Sequence, residues 1–163
     1  MAKSLKTNAL RLMDGAKIPY RTLAYDWDEG SFDGELVARK VNMDPAAVFK
    51  TLVAKGEKTG YVVCCVPVNR ELDLKAAASF LNDKKVELIH VNDLLPLTGY
   101  VRGGCSPVGM KKQYPTLLDE SALQFAEIAV SAGVRGCQMV LKPQDLISFI
   151  KARTAWIAKD GHA

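Results

Sequence analysis

A lysine inside a strongly apolar stretch is the first residue of this sequence that could carry chemistry. Lys50 lies in the run from Val48 to Val53, whose β-branched and aromatic residues favour a strand. Residues of a strand alternate between its two faces, and both faces are largely apolar here: Val48, Leu52 and Ala54 beside Lys50, and Phe49, Thr51 and Val53 opposite it. A cation between apolar layers pairs with an anion, reaches water along its stem, or lines a pocket. We expect a pocket; the alternative is an ammonium group that extends to solvent.

A glycine-rich loop is the second candidate, with the sequence Gly103-Gly104-Cys105-Ser106-Pro107-Val108-Gly109. Paired glycines let the backbone approach a ligand closely and direct N–H groups at a carbonyl or phosphate oxygen. Such a loop would stabilise an oxyanion, although the same composition is typical of ordinary turns. The spacing is not that of a phosphate-binding or dinucleotide-binding loop. Ser106 lacks the motif of a hydrolase nucleophile, so we interpret it as a hydrogen-bonding or turn residue.

The four cysteines indicate neither a zinc site nor a catalytic pair. There is no CxxC pair, and the chain has only two histidines, which disfavours a structural metal. Cys64 and Cys65 are expected to point to opposite sides of a strand as small buried residues. Cys105 lies near Arg102, which would lower its thiol pKa, but no partner histidine is evident. Reduced thiols, with no signal-peptide pattern and no membrane-length apolar stretch, predict a soluble cytoplasmic protein.

Further candidates for binding come from a second loop and from basic and aromatic residues. The loop Ser131-Ala132-Gly133-Val134-Arg135-Gly136 follows a predicted strand, and it either lines the same cleft or is a plain hairpin connection. Four basic residues could form a rim that binds an RNA backbone, or they could be ordinary solvated charges; they are Arg102, Lys111, Lys112 and Arg135. Three aromatic residues would either stack on an adenine or pack in the core; they are Tyr25, Trp27 and Phe32.

The composition predicts one globular domain spanning residues 1–163. The chain is 48% hydrophobic and 25% charged, and its net charge of +4 favours anionic partners only weakly. Helices are predicted near the amino terminus and at 34–41, 73–81 and 143–158, with a further turn near 92–95. Strands are predicted at 20–25, 48–54, 61–66, 86–89, 125–131 and 138–141, and 98–109 is expected to be a loop. The fold class is therefore α/β or α+β with a mixed sheet.

Four segments in this order resemble the YbaK/EbsC-type cysteinyl-tRNA(Pro) deacylases, over essentially the whole chain. They are Val48-Phe49-Lys50-Thr51-Leu52, Leu72-Asp73-Leu74-Lys75, Gly99-Tyr100-Val101-Arg102-Gly103-Gly104-Cys105-Ser106-Pro107-Val108-Gly109 and Ser131-Ala132-Gly133-Val134-Arg135-Gly136. The wider family includes the editing domain inserted in bacterial prolyl-tRNA synthetases. The resemblance implies a single editing domain with a mixed, barrel-like β-sheet flanked by helices.

The function that the resemblance implies is trans-editing. Prolyl-tRNA synthetase mischarges tRNA(Pro) with cysteine, and this protein would clear the ester, so mischarged tRNA(Pro) and the synthetase are the implied partners. A second checking site has a physical rationale, because hydrophobic pockets separate near-isosteres by only about 10 to 200-fold. The resemblance also implies that the substrate's own thiol attacks its ester to give a thiolactone, with no cofactor and no metal. Two alternatives stay open: hydrolysis of another small aminoacyl-tRNA by a water molecule, and a noncatalytic tRNA- or synthetase-binding module.

The resemblance also implies roles for individual residues. The invariant lysine of the family falls on Lys50, which would orient the terminal ribose and the substrate. The N–H groups of Gly103 and Gly104 would face the developing oxyanion. Gln138 stands where relatives often carry an aspartate, which changes the contact with the substrate amine. The remaining residues expected to form the substrate-binding cleft are Tyr25, Phe32, Thr51, Ser106, Ser131 and Gly133.

Overall fold

The computed structural model describes residues 6–28 and 33–159. The helices in these ranges are α1 (Asn8–Gly15), α2 (Gly34–Lys40), α3 (Leu74–Phe80), α4 (Leu94–Thr98) and α5 (Pro143–Ile150). The strands are β1 (Arg21–Ala24), β2 (Phe49–Gly56), β3 (Gly60–Pro67), β4 (Val86–Leu88), β5 (Thr116–Asp119), β6 (Ile128–Ser131), β7 (Cys137–Leu141) and β8 (Arg153–Ala155). Among the helices of these ranges, none has the length and hydropathy of a bilayer-spanning segment.

The strands form two sheets that meet at one point. The first has the order β1-β7-β6 and is antiparallel. The second has the order β4-β2-β3-β5-β8 and is mixed, because β5 runs parallel to both β3 and β8. This architecture confirms the predicted α+β class with a mixed sheet.

The barrel-like closure that the resemblance implied is absent from the described residues. The two sheets join through a single parallel bridge between Val48 and Ala129. β3 pairs along the whole length of β2, and β4 pairs with residues 54–56 of β2. Only the first part of β2 is therefore open to the three-stranded sheet. The described residues form no ladder there beyond the bridge at Val48, and the sheets stay distinct.

The alternation predicted around Lys50 is confirmed by the packing of β2. Phe49 and Val53 are buried in the larger core cluster, which includes Leu10 and Met13 of α1. Leu52 and Ala54 pack in the second cluster, which includes Ala77 of α3. Cys64 and Cys65 divide in the same way, one to each cluster, and both are fully buried. The strand that carries Lys50 thus lies between two apolar layers.

The structure of the carboxyl-terminal part of the chain differs from the sequence prediction. The predicted carboxyl-terminal helix stops at Ile150, because Lys151 adopts a left-handed conformation with φ of 55°. The chain then becomes extended and forms β8 beside β5, a strand that was not predicted. The buried Asp119 at the end of β5 fixes the following segment, since its Oδ1 accepts the N–H groups of Ile157 and Ala158 at 2.8 and 2.9 Å.

Candidate functional site

A cavity of about 420 Å³ opens where the two sheets meet. Its lining residues come from separate parts of the chain and are scattered within the stretches 25–28, 33–40, 48–53, 88–94, 102–105 and 131–138, with residue 68 in addition; not every residue of these stretches lines the cavity. Much of the wall is aliphatic and includes Leu36 and Val37 of α2 together with Ile89 and Leu94 beyond β4. A concave apolar site with a few polar groups is the usual form of a small-molecule pocket.

Lys50 lines this cavity and is half-buried. Its burial lowers the pKa of the ammonium group below the ordinary 10.5, and attraction to the carboxylates of Glu71 and Glu35 opposes this shift. No carboxylate of the described residues lies within the 4 Å of Nζ that an ion pair requires. The positive charge at this point is therefore not neutralised by direct contact, and an electron-rich ligand atom would be attracted to it.

The two glycines of the first loop have different surroundings. Gly103 lines the cavity with φ of 85°, a conformation that favours glycine. The N–H group of Gly104 instead donates to the carbonyl of Val101 at 2.9 Å. This corrects the expected role of Gly104 as an oxyanion donor, because its only backbone donor is already used.

Gly104 serves close packing between the two glycine loops. A Cβ at this position would lie 3.0 Å from the backbone nitrogen of Arg135 and 3.1 Å from the carbonyl carbon of Val134. Any larger residue would push the loops apart. Gly104 therefore positions the loop that carries Gly103.

Gln138 and Ser131 face each other across β6 and β7, and both are buried residues of the cavity lining. Oε1 of Gln138 has no hydrogen-bond partner among the described residues. A buried unpaired acceptor costs about 1–3 kcal/mol, so a donor group on a ligand would relieve this cost. Ser131 Oγ accepts the N–H of Gly133 at 3.1 Å. Gly133 thus closes the turn and, contrary to expectation, does not line the cavity.

The remaining expected residues divide into three groups. Tyr25 and Thr51 line the cavity. Ser106 does not, since it is fully buried and its Oγ accepts the N–H of Val108 at 3.2 Å. This corrects its expected place in the cleft and agrees with its interpretation as a turn residue. Phe32 lies outside the described residues.

The predicted basic rim is reduced to two arginines. Arg102 and Arg135 line the mouth of the cavity together with Trp27. Lys111 and Lys112 are absent from the lining, and the ammonium group of Lys112 lies over the ring of Tyr114. Two of the four expected charges therefore point to other parts of the surface.

The thiol groups are unsuited to nucleophilic attack. Cys105 lines the cavity but is only 8% exposed, and burial raises the pKa of its thiol to about 12. A thiol with this pKa is protonated at neutral pH, and the thiolate is the reactive form. Burial also raises the pKa values of Cys64 and Cys65 to about 12.

The described residues contain no group of histidine, cysteine and acidic side chains that could hold a metal ion.

The sequence reasoning missed one wall of the cavity and several acidic residues at its mouth. The wall is formed by residues at the end of β4, in the segment after it and at the start of α4: Leu88, Ile89, Val91 and Leu94. Their spacing shows neither helical nor strand periodicity, so no local pattern indicated a shared surface. The acidic residues are Asp26, Asp28 and Asp33, which read as parts of a polar loop in the sequence.

Comparison with known proteins gives a consistent answer. The model of the aminoacyl-tRNA editing domain matches residues 29–149. The chain is 47% identical to EbsC of Enterococcus faecalis, which is named provisionally as a Cys-tRNA(Pro)/Cys-tRNA(Cys) deacylase, over 93% of each chain. It is also 32% identical to a proline–tRNA ligase of Thermosipho africanus over 78 residues, which are 48% of this chain and 14% of the ligase.

Solved structures show the same fold at low sequence identity. One, described as a provisional trans-editing enzyme for prolyl-tRNA synthetase, superposes with a TM-score of 0.78 at 23% identity over 96% of this chain and 99% of that one. The hypothetical protein APE2540 superposes with a TM-score of 0.85 at 18% identity, over 94% of this chain and 100% of its own. The match to the domain model and the extended identity to EbsC, together with this fold, show that the chain belongs to the aminoacyl-tRNA editing domain family.

Proposed function

We propose that this protein is a trans-editing deacylase, working as a single domain, that cleaves the ester of Cys-tRNA(Pro). The observation that carries the proposal is Lys50, a half-buried cation without a contacting carboxylate among the described residues, in the wall of an apolar cavity. Gly103 and Gln138 line the same cavity, and Oε1 of Gln138 has no hydrogen-bond partner within residues 6–28 and 33–159. The provisional name of EbsC supports the choice of cysteine as the acyl group.

The chemistry follows from the groups in this cavity. The thiol of the bound cysteine attacks its own ester carbonyl, so a C–S bond forms while the C–O bond to the ribose breaks. The thiol proton passes to the departing ribose oxygen, and a cyclic thiolactone remains. An attack within one molecule needs mainly orientation and charge stabilisation, and the protein thiol of Cys105 takes no part because it stays protonated.

Each polar group then has one role in the proposal. The ammonium group of Lys50 holds the terminal ribose and the ester, and the N–H of Gly103 faces the developing oxyanion. Oε1 of Gln138 accepts a hydrogen bond from the substrate ammonium group, which would give this buried oxygen a partner. Tyr25, Thr51 and Ser131 shape the cleft around the substrate.

The partners follow from the substrate. Mischarged tRNA(Pro) is the molecule that carries the ester, and we propose that prolyl-tRNA synthetase supplies it. The identity to part of a proline–tRNA ligase supports this association of activities. Translation consumes aminoacyl-tRNA in the cytoplasm, which is where this deacylase would act.

A deacylation panel tests the proposal. The protein is incubated with Cys-, Ala- and Ser-tRNA(Pro), and the remaining ester and the released product are measured. Ser-tRNA(Pro) is the matched control, since it replaces only the sulfur with a less nucleophilic oxygen. We expect rapid loss of the cysteinyl ester with the thiolactone as product, and little change in the other two.

Two results would favour the alternatives. Faster release of free alanine or serine would indicate attack by water on another small aminoacyl-tRNA. No acceleration over the spontaneous rate on any of the three substrates would indicate a noncatalytic binding module.

A further inference from the structure

The mouth of the cavity contains an aromatic residue held in place from two sides. Trp27 is 43% exposed and lines the mouth. The guanidinium carbon of Arg135 lies 5.3 Å from the centre of the Trp27 ring, within the range of a cation–π contact. Gly136 lies against the indole so closely that a Cβ there would approach Cδ1 at 2.7 Å.

Two hydrogen bonds join three separate segments of the chain at this mouth. Nε of Arg135 donates to the carbonyl of Arg102 at 2.8 Å, which ties the second glycine loop to the first. The N–H of Tyr25 donates to the carbonyl of Gly136 at 2.9 Å, which fixes the segment that carries Trp27. The indole is therefore preorganised beside the cavity, and little ordering would be needed before it bound a ligand.

We propose that the pair of Trp27 and Arg135 forms a stacking subsite for the base of the 3′-terminal adenosine of the tRNA. This inference rests on the proposed function, because it uses the position of the ester in the cavity. The ester is attached to the terminal ribose, so the base next to that ribose must lie at the mouth when Lys50 and Gly103 hold the acyl group. An exposed indole backed by a guanidinium group is a common platform for stacking a nucleobase.

The charges around the cavity do not by themselves identify what binds at its mouth. Four cationic residues line the cavity, Lys40, Lys50, Arg102 and Arg135, together with three aspartates, Asp26, Asp28 and Asp33. Attraction of the cations for the RNA backbone and repulsion by the carboxylates therefore oppose each other. Stacking on the exposed ring of Trp27 does not depend on this balance, and the contact with Arg135 supports it directly.

The fluorescence of Trp27 provides a direct test, because the chain has only two tryptophans. The second, Trp156, follows β8 and is absent from the cavity lining. In the Trp156→Phe variant, Trp27 is the only source of tryptophan fluorescence. In the matched variant Trp27→Phe, Trp156 is the only source. Each variant is titrated with an uncharged RNA microhelix that ends in an unpaired 3′ CCA, and with the same microhelix lacking these three nucleotides.

We expect the microhelix with the CCA end to quench Trp27 saturably and to leave Trp156 unchanged. Trp27→Ala should weaken binding of that microhelix by about 5 to 150-fold, which corresponds to the loss of one stacked base. Trp27→Phe should retain most of the affinity, and Arg135→Gln should weaken binding by several-fold. The emission of Trp156 reports that the Trp27→Ala and Trp27→Phe proteins remain folded.

Either of two results would overturn the subsite: equal quenching of Trp27 by the shortened microhelix, or unchanged affinity in a folded Trp27→Ala protein. The titration uses uncharged RNA, so its outcome is independent of ester cleavage. If the protein deacylates Cys-tRNA(Pro) but the microhelix does not quench Trp27 fluorescence, the proposed function stands and the stacking subsite is wrong. If the CCA end quenches Trp27 specifically but the protein does not deacylate Cys-tRNA(Pro), the subsite stands and the proposed function is wrong.

Discussion

Lys50 combines a functional position with an unfavourable environment. Burial lowers the pKa of its ammonium group below 10.5, so the folded state holds the proton less tightly than the unfolded state does. At pH values below the folded pKa, the charged lysine therefore reduces the stability of the fold. This penalty disappears as the pH rises through the folded pKa towards the unfolded value.

Replacement of Lys50 by methionine should therefore preserve or raise stability while it removes activity. Methionine has a similar unbranched shape and avoids the desolvation of a cation. We expect the melting temperature of Lys50→Met at pH 7 to equal or exceed that of the parent protein, with the difference narrowing above the folded pKa of the lysine. Thermal unfolding followed by circular dichroism at several pH values measures this, and a clearly lower melting temperature at pH 7 would contradict it.

Replacement of Cys105, unlike replacement of Lys50, should leave the activity largely intact. Cys105 lines the cavity but has no chemical role in the proposed reaction. Its thiol is protonated at neutral pH because burial raises its pKa to about 12. Cys105→Ala should thus deacylate Cys-tRNA(Pro) within about threefold of the parent rate, and the native thiols should react slowly with thiol reagents. A folded Cys105→Ala protein that had lost the activity at least 100-fold would show that the enzyme's own sulfur takes part.

The elements differ in how far local sequence determines them. The hairpin of β2 and β3 was predicted because both strands are rich in β-branched residues and flank a polar turn. β5 and β8 were not predicted, since parallel strands pair with distant parts of the chain and need no local turn signal. The helix α5 was predicted too long because Lys151, a residue without a glycine's preference for positive φ, ends it.

The turn after β2 depends on an acidic residue from another element. The carboxylate of Asp83 accepts the backbone N–H group of Thr59 and also those of Lys58 and Lys84, and these hydrogen bonds hold its pKa well below the ordinary 3.8. The stabilisation is present above the unfolded pKa and is lost as the pH falls through the lower folded value. Asp83→Asn should therefore be less stable than the parent at pH 7, and this difference should shrink steadily below pH 3.8.

Urea unfolding at a series of pH values measures the effect of Asp83. Glu87→Gln is the control, because Glu87 forms an ion pair with Lys85 at 3.0 Å on the exposed surface, and such exposed pairs contribute little to stability. A difference between Asp83→Asn and the parent that stayed constant from pH 7 to pH 2 would argue against the carboxylate as its cause.

The packing of the two glycine loops makes a prediction about activity. In Gly104→Ala the new Cβ would press on the backbone of Val134 and Arg135, which would displace Gly103 from its position in the cavity. We expect at least a 10-fold loss of deacylation, because small displacements of positioning groups are costly. Gly15→Ala is the matched control, since a Cβ there meets nothing within 4 Å. It should keep full activity and gain up to about 1 kcal/mol of stability.

At the scale of the whole molecule, the site is assembled from segments that are far apart in sequence. Lys50 and Gly103 stood out in their local sequence and Gln138 stood out through the family resemblance, and all three line one cavity. The apolar wall from Leu88 to Leu94 and the contact between Trp27 and Arg135 were not foreseen as parts of one site. Both arise from tertiary contacts between distant segments, as does the bridge between Val48 and Ala129 at which the two sheets meet, and such contacts have no local sequence pattern.

The most direct test of the account compares the parent protein with Lys50→Ala in single-turnover cleavage of Cys-tRNA(Pro). Both proteins are first shown to have the same circular dichroism spectrum. If Lys50 holds the ester in this cavity, the variant should cleave at least about 100-fold more slowly, the loss typical of removing one charge-stabilising group. A folded Lys50→Ala protein that cleaved the cysteinyl ester at the parent rate would contradict the assignment of the reaction to this cavity.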